Sequence, residues 1–185
     1  MNDATNSKKP KLLLHACCAP CSPHVLNVLR DSWDVVLYFY NPNIEPHEEW
    51  RMRLDEMEKL SEATGVSLLT AEYDNDRWRE SISGLENEPE GGGRCRVCFS
   101  LRLESAAKAA AGIGAAHIAT TLSVSPHKNA AAINEQGESV AEETGIAFLR
   151  ADFKKNDGYK KSCELSREFG FRRQNYCGCS FSRRD

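Results

Sequence analysis

Seven of the eight cysteines fall into three tight clusters: Cys17-Cys18-Ala19-Pro20-Cys21, Cys95-Arg96-Val97-Cys98 and Cys177-Gly178-Cys179, with Cys163 alone. Thiols this close together, in three places on one chain, read as ligands gathered in a site. Disulfide staples are the competing reading, and it depends on compartment. The first ten residues are polar, with no apolar run behind Lys8 and Lys9 that would make a signal peptide, and no segment has the length and apolarity of a membrane span. The expectation is a cytosolic chain without a membrane partner, where clustered cysteines bind metal or cycle redox state.

The chemistry differs between clusters. A C-x-x-C pair at a helix start puts two sulfurs on one side of a turn, as zinc ribbons and iron-sulfur proteins do. With Cys17 and Cys18, the pair Cys95 and Cys98 makes a four-thiolate set able to hold a 4Fe-4S cluster, leaving Cys21 and the terminal pair unassigned. A structural zinc needs only four ligands and leaves more thiols idle, and none of the five histidines stands at finger-type spacing, so ligand count favours a cluster. Adjacent Cys17 and Cys18 in extended backbone would point apart, one toward each of two metal centres. Cys177 and Cys179 have one residue between them, so a disulfide there would be strained and labile, as catalytic couples are. The neighbouring Arg172 and Arg173 favour the thiolate; further metal ligands or inert thiols are the alternatives. Cys163, near Leu165 and Phe169, reads as a small core residue.

The elements that must position these thiols follow from periodicity. Apolar runs of strand length at residues 11–16, 34–41, 66–73, 116–122 and 146–152 alternate with helical patterns. The clearest helices are 46–64, 96–111 and 125–144, closed by Gly65, Gly112 and Gly145, with shorter ones at 23–30, 76–83 and 158–169. Such alternation predicts an α/β fold with helices on both faces of a mainly parallel sheet of about five strands. Residues 1–10 read as a disordered tail and 11–185 as one domain. Ligands of such folds bind beyond the carboxyl ends of the strands. Cys17 directly follows the first strand, and Cys21 precedes the first helix, whose N-terminus stabilises a thiolate. The glycines at 91–93 lie in no phosphate-loop motif and read as a flexible loop.

Charge is unevenly spread. From Arg150 onward there are 10 Lys plus Arg against 5 Asp plus Glu, whereas the first 149 residues hold 14 against 22. A basic C-terminal segment facing an anionic partner is expected, with a solvated helix face as the plainer reading.

The motifs together resemble the QueH family of epoxyqueuosine reductases. They are Cys17-Cys18-Ala19-Pro20-Cys21; Tyr40-Asn41-Pro42-Asn43-Ile44 with Pro46 and Arg53; Glu72-Tyr73-Asp74 with Trp78; and Arg94-Cys95, Cys98-Phe99 and Leu101-Arg102-Leu103. Thr120-Thr121-Leu122, Ser125-Pro126, Lys128-Asn129, Lys154 to Lys160 and Gln174 to Cys179 complete the match, which runs from about residue 11 to 179. The resemblance implies a Rossmann-like (HUP-type), three-layer fold. It implies removal of the epoxide oxygen of epoxyqueuosine at the wobble position of the tRNA anticodon, the last step of queuosine biosynthesis. It further implies a 4Fe-4S cluster with a second metal, iron by expectation, no cobalamin, no ATP, and an electron donor that the sequence leaves unidentified.

On that resemblance, Cys17, Cys18, Cys95 and Cys98 are expected to hold the cluster. Cys21 and a carboxylate, Asp74 first and Asp157 second, are expected at the second metal; helix capping is the alternative for Asp74. Cys177 and Cys179 are the expected redox-active pair. Arg94, Lys154, Lys155, Lys160, Lys161, Arg172 and Arg173 are the expected tRNA contacts, with Trp78 or Tyr176 as candidates to stack on a base; a core position is the plainer reading of Trp78. Tyr73, Tyr176 and His127 lie in or near the motifs, but buried structural roles are as good a reading, and no general acid is assigned. Two rivals remain: a non-catalytic RNA-binding module with bound zinc or an iron-sulfur group, and a tRNA-thiolating ATPase, whose S-G-G-x-D-S loop is missing after the first strand.

Overall fold

A computed structural model describes residues 9–183. Apart from Lys9 and Pro10, the tail expected over residues 1–10 lies outside them. Five strands, β1 (Lys11–His15), β2 (Asp34–Phe39), β3 (Leu68–Thr70), β4 (His117–Thr120) and β5 (Ala147–Phe148), form one sheet in the order β3-β2-β1-β4-β5. Every pairing is parallel. Six helices connect and cover them: α1 (Ser22–Leu29), α2 (His47–Thr64), α3 (Asn75–Ser81), α4 (Gly93–Gly112), α5 (Ala130–Thr144) and α6 (Gly158–Glu168).

The central strand explains the layering. Leu12, Leu13 and Leu14 have no exposure, and alternate residues face opposite sides of the sheet. Leu12 and Leu14 join Leu26 and Leu29 of α1 and Leu54, Met57 and Leu60 of α2 on one face. Leu13 joins Leu103, Ala106 and Ala110 of α4 and Val140 of α5 on the other. Burial on both faces is why the strand reads as an unbroken apolar run, and each such leucine contributes roughly 1.5–3 kcal/mol.

The ends of the elements differ from the sequence expectation in instructive places. The edge strands β3 and β5 are shorter than 66–73 and 146–152, since each has a ladder partner on one side only. The fourth strand ends at Thr120, where a 3-10 turn, Thr121–Val124, begins. Asn129, whose Oδ1 accepts from the backbone N–H groups of Ala131 and Ala132, starts α5 at Ala130 instead of residue 125.

A thiol-rich centre at the switch point

The sheet order reverses direction between β1 and β4, so the loops leaving these two strands part and open a crevice. Cys17 and Thr121 are the residues that flank it. The backbone N–H of Cys17 donates to Thr121 Oγ1 at 3.1 Å, and Thr121 Oγ1 lies 3.4 Å from Cys17 Sγ. After Cys18 the chain folds into a 3-10 turn, Ala19–Cys21, which brings Cys21 back. Side chains fix this turn from three directions: Asn41 Nδ2 donates to Ala16 O, Ser22 Oγ to Cys18 O, and Ser162 Oγ to Pro20 O, all at 2.8–2.9 Å.

The sulfurs of Cys17, Cys18 and Cys21 therefore lie within 4.8 Å of one another, with Cys17 Sγ and Cys18 Sγ 3.7 Å apart. This corrects the expectation that the adjacent pair diverges. The strand ends at His15 and the chain bends at Cys17, so the period-two alternation no longer applies. The three thiols are hydrogen-bonded to one another. Hydrogen bonds from Cys18 and Cys21 hold Cys17 well below the usual thiol range, against the effect of burial. Its hydrogen bond to Cys17 pushes Cys18 up to about 12, and Cys21 also lies well above the usual range.

Cationic side chains act on these thiols, Lys128 and Arg102 on Cys17 and Arg53 on Cys18. Arg53 and Arg102 are buried. Burial works against the Lys128 ammonium, but the sulfurs of Cys177, Cys17 and Cys21 outweigh it and raise its pKa. Arg102 donates to Asn41 Oδ1 and, at 3.4 Å, to His15 Nε2. Burial and the Arg102 charge lower His15 to about 3, so its ring stays neutral. Among the described residues, Arg102 Nη1, Arg53 Nη2 and the Asn43 amide have no hydrogen-bond partner. Unpaired buried donors beside clustered thiols are what a negatively charged sulfur centre would satisfy. The donor set therefore fits a thiolate-bound metal group.

Cys95 and Cys177 are the other cysteines that border this group. Cys95 packs against the apolar cluster that contains Cys17, Cys18 and Phe99. A cavity of about 420 Å³ opens from Cys17, Cys18 and Cys21 past Arg53 and Lys128 to Arg173, Tyr176 and Cys177. A void of about 20 Å³ is lined by Cys95, Cys98, Cys177, Cys179 and Asn43. Cys177 thus borders both spaces. Burial raises Cys98 to about 11 and raises Cys95 and Cys179 as well. Gly178, at φ +123°, makes the intervening bend. A Cβ there would lie 2.8 Å from Ile44 Cγ1 and 3.3 Å from Arg53 Nη1, so only glycine fits.

Several expected residues lie elsewhere. Neither Asp74 nor Asp157 lines either space; Asp74 precedes α3 without a side-chain cap bond and Asp157 is exposed ahead of α6. Glu90, overlooked in the sequence, is a carboxylate that lines both. Arg94 is buried, donating to the carbonyls of Leu85, Glu86 and Glu88, which corrects its assignment to a phosphate. Trp78 is buried in the core, which is the plainer of its two readings and not the stacking one. Lys154 is half-buried and donates to Lys128 O, and Arg172 pairs with Glu49 at 2.7 Å. Lys155, Lys160, Lys161 and Arg173 remain exposed. Tyr73 donates to Ile44 O outside the site, whereas His127 and Tyr176 line the larger cavity. Cys163 is half-buried on α6, away from both spaces.

A doubly wound α/β protein with a cluster of thiols at its switch point is the class that fold and site define. The family model described as epoxyqueuosine reductase QueH matches residues 12–185, and the chain belongs to that family. It is 41% identical over 182 residues to epoxyqueuosine reductase QueH of Streptococcus pyogenes serotype M1, covering 95% of this chain and 71% of the relative. The protein of the same name from Staphylococcus epidermidis is 41% identical over 185 residues, covering 96% and 78%. That from Thermotoga maritima is 34% identical over 174 residues, covering 92% and 89%.

Proposed function

We propose that the chain reduces the epoxide of epoxyqueuosine in the tRNA anticodon loop to the cyclopentene of queuosine, independently of cobalamin. The reaction consumes two electrons and two protons and releases the oxygen as water. The observation that carries the reading is the cavity of about 420 Å³ lined by three clustered thiols and by Cys177. It joins space for a modified base to sulfur chemistry at one point of the fold.

We assign Cys17, Cys18, Cys95 and Cys98 to a 4Fe-4S cluster, with Cys21 as a ligand of a second metal, iron by preference. Asp74 is the carboxylate first proposed for that metal, and Glu90 is a further candidate because it borders the cavity. When bound, the metal group supplies electrons and a Lewis acid for the C–O bond. Arg53, Arg102 and Lys128 offset the negative charge of the thiolates, and Thr121 fixes Cys17. Tyr176 holds the rim: its hydroxyl donates to Glu45 O at 2.9 Å and its ring lies under the Arg53 guanidinium. Arg173 and Lys155, Lys160 and Lys161 offer charge to the tRNA backbone. The pair Cys177 and Cys179 cycles between disulfide and dithiol to pass on reducing equivalents from a donor.

Anaerobic loading with iron and sulfide, followed by nucleoside mass analysis of tRNA from cells lacking the reductase, tests the reading. Conversion of epoxyqueuosine to queuosine under a strong reductant is expected. A colourless protein holding one zinc and leaving the tRNA unchanged would favour the RNA-binding module instead. The basic C-terminal segment suits a tRNA substrate, whose compartment would be the cytosol; among the described residues no helix is long and apolar enough to cross a membrane.

A further inference from the structure

The two thiols of the C-terminal pair are not equivalent. Cys177 is half-buried and borders the open cavity as well as the void. Cys179 is 7% exposed, borders only the void, and belongs to the apolar cluster of Trp78, Cys98 and Leu101. Its sulfur lies 3.4 Å from Ser182 Oγ. The loop is held by its backbone: Cys177 O accepts from Arg53 Nη1 at 3.1 Å and Gly178 O from the Glu45 N–H at 2.9 Å. Neither bond uses a sulfur, so the Cys177 thiol can exchange while the loop stays docked.

We infer that Cys177 is the thiol through which an external dithiol reductant regenerates the pair, and that Cys179 is its buried partner, the sulfur released when the bond between them breaks. The inference rests on the reading of the pair as a redox couple. A thiolate of the reductant attacks Cys177 Sγ; the Cys177–Cys179 bond breaks, and Cys179 leaves as a thiolate and takes a proton. The reductant's second thiol then attacks its own sulfur in the mixed disulfide. Cys177 leaves and is protonated. The reductant becomes a disulfide, and the pair has gained two electrons and two protons. Attack in the opposite sense would require the reductant to reach a sulfur enclosed in the core.

The metal-loaded wild-type protein, reduced and kept anaerobic, is treated with limiting iodoacetamide and its peptides are mapped by mass. Cys177 is expected to label at least about tenfold faster than Cys179. Separately, Cys179→Ser treated with oxidised glutathione is expected to carry glutathione on residue 177, while Cys177→Ser leaves Cys179 unmodified. Equal rates, faster labelling of Cys179, or glutathione on Cys179 overturns the assignment. Neither readout needs epoxide reduction. Labelling in the expected order by a protein that never consumes the epoxide supports this assignment and counts against the functional reading; reversed order in an active enzyme overturns this assignment alone.

Discussion

The first cysteine cluster and Cys177 of the third face the same cavity, but the two clusters are built differently. Cys17, Cys18 and Cys21 sit on the end of the central strand, tied by buried side-chain bonds to Thr121, Asn41, Ser22 and Ser162. Cys177 and Cys179 sit in a terminal loop held by backbone carbonyls and a glycine bend. A metal centre requires ligands whose positions are fixed before it binds, and a dithiol couple requires sulfurs that can approach and part. The contrast supports a division between holding and exchanging.

The largest effect should come from the rigid side. Cys17→Ser removes one of the three clustered sulfurs, and iron content after reconstitution should fall by at least about tenfold, measured as iron and sulfide per chain. Gly178→Ala strikes the other side: the positive φ costs about 1–3 kcal/mol in alanine, and the new Cβ meets Ile44. Turnover should drop while iron content stays near wild type; equal loss of both would erase the distinction.

Glu49 links the two regions, since it accepts from Arg53 Nε at 2.7 Å and from Arg172 at 2.7 Å. Burial alone would raise its pKa, but the hydrogen bonds and charges of Arg172 and Arg53 outweigh it and hold the carboxyl below its ordinary 4.5. A depressed folded pKa contributes stability in full above the unfolded value, and that stability is lost as pH falls through the folded value. Glu49→Gln should cost about 1–3 kcal/mol near neutrality, and thermal melts of the variant and wild type should converge as the pH falls below about 4.5. A constant difference across that range would show that the charge of Glu49 does not matter. The smallest expected effect is that of Arg173→Ala, which should weaken tRNA binding and reduce its salt slope by about 1, read by titration at several salt concentrations.

Periodicity in the sequence was enough to identify the central strands and the glycine stops. Leu12 to Leu14 are buried on both faces, and Gly65 and Gly145 end their helices in the left-handed region. The short edge strands were less legible, because Val66 and Ile146 remain apolar beyond the last ladder pairing. Cysteine spacing exposed the thiols but not their grouping: the bend at Cys17 and the turn Ala19–Cys21 decide that Cys17, Cys18 and Cys21 converge. The buried cations were harder still. Arg53, Arg102 and Arg94 have the composition of surface residues, and only tertiary packing shows that two of them stand beside sulfurs and the third ties down a loop. Glu90 precedes a glycine triplet that looked like plain linker, so nothing local marked it.

The division between holding and exchanging is tested most directly by one sample of Cys177→Ser/Cys179→Ser, reconstituted anaerobically and assayed for both iron per chain and multiple-turnover queuosine formation with a dithiol reductant. The account predicts iron content matching wild type with turnover lost. Iron content falling as far as in Cys17→Ser would contradict it and place the terminal pair among the metal ligands.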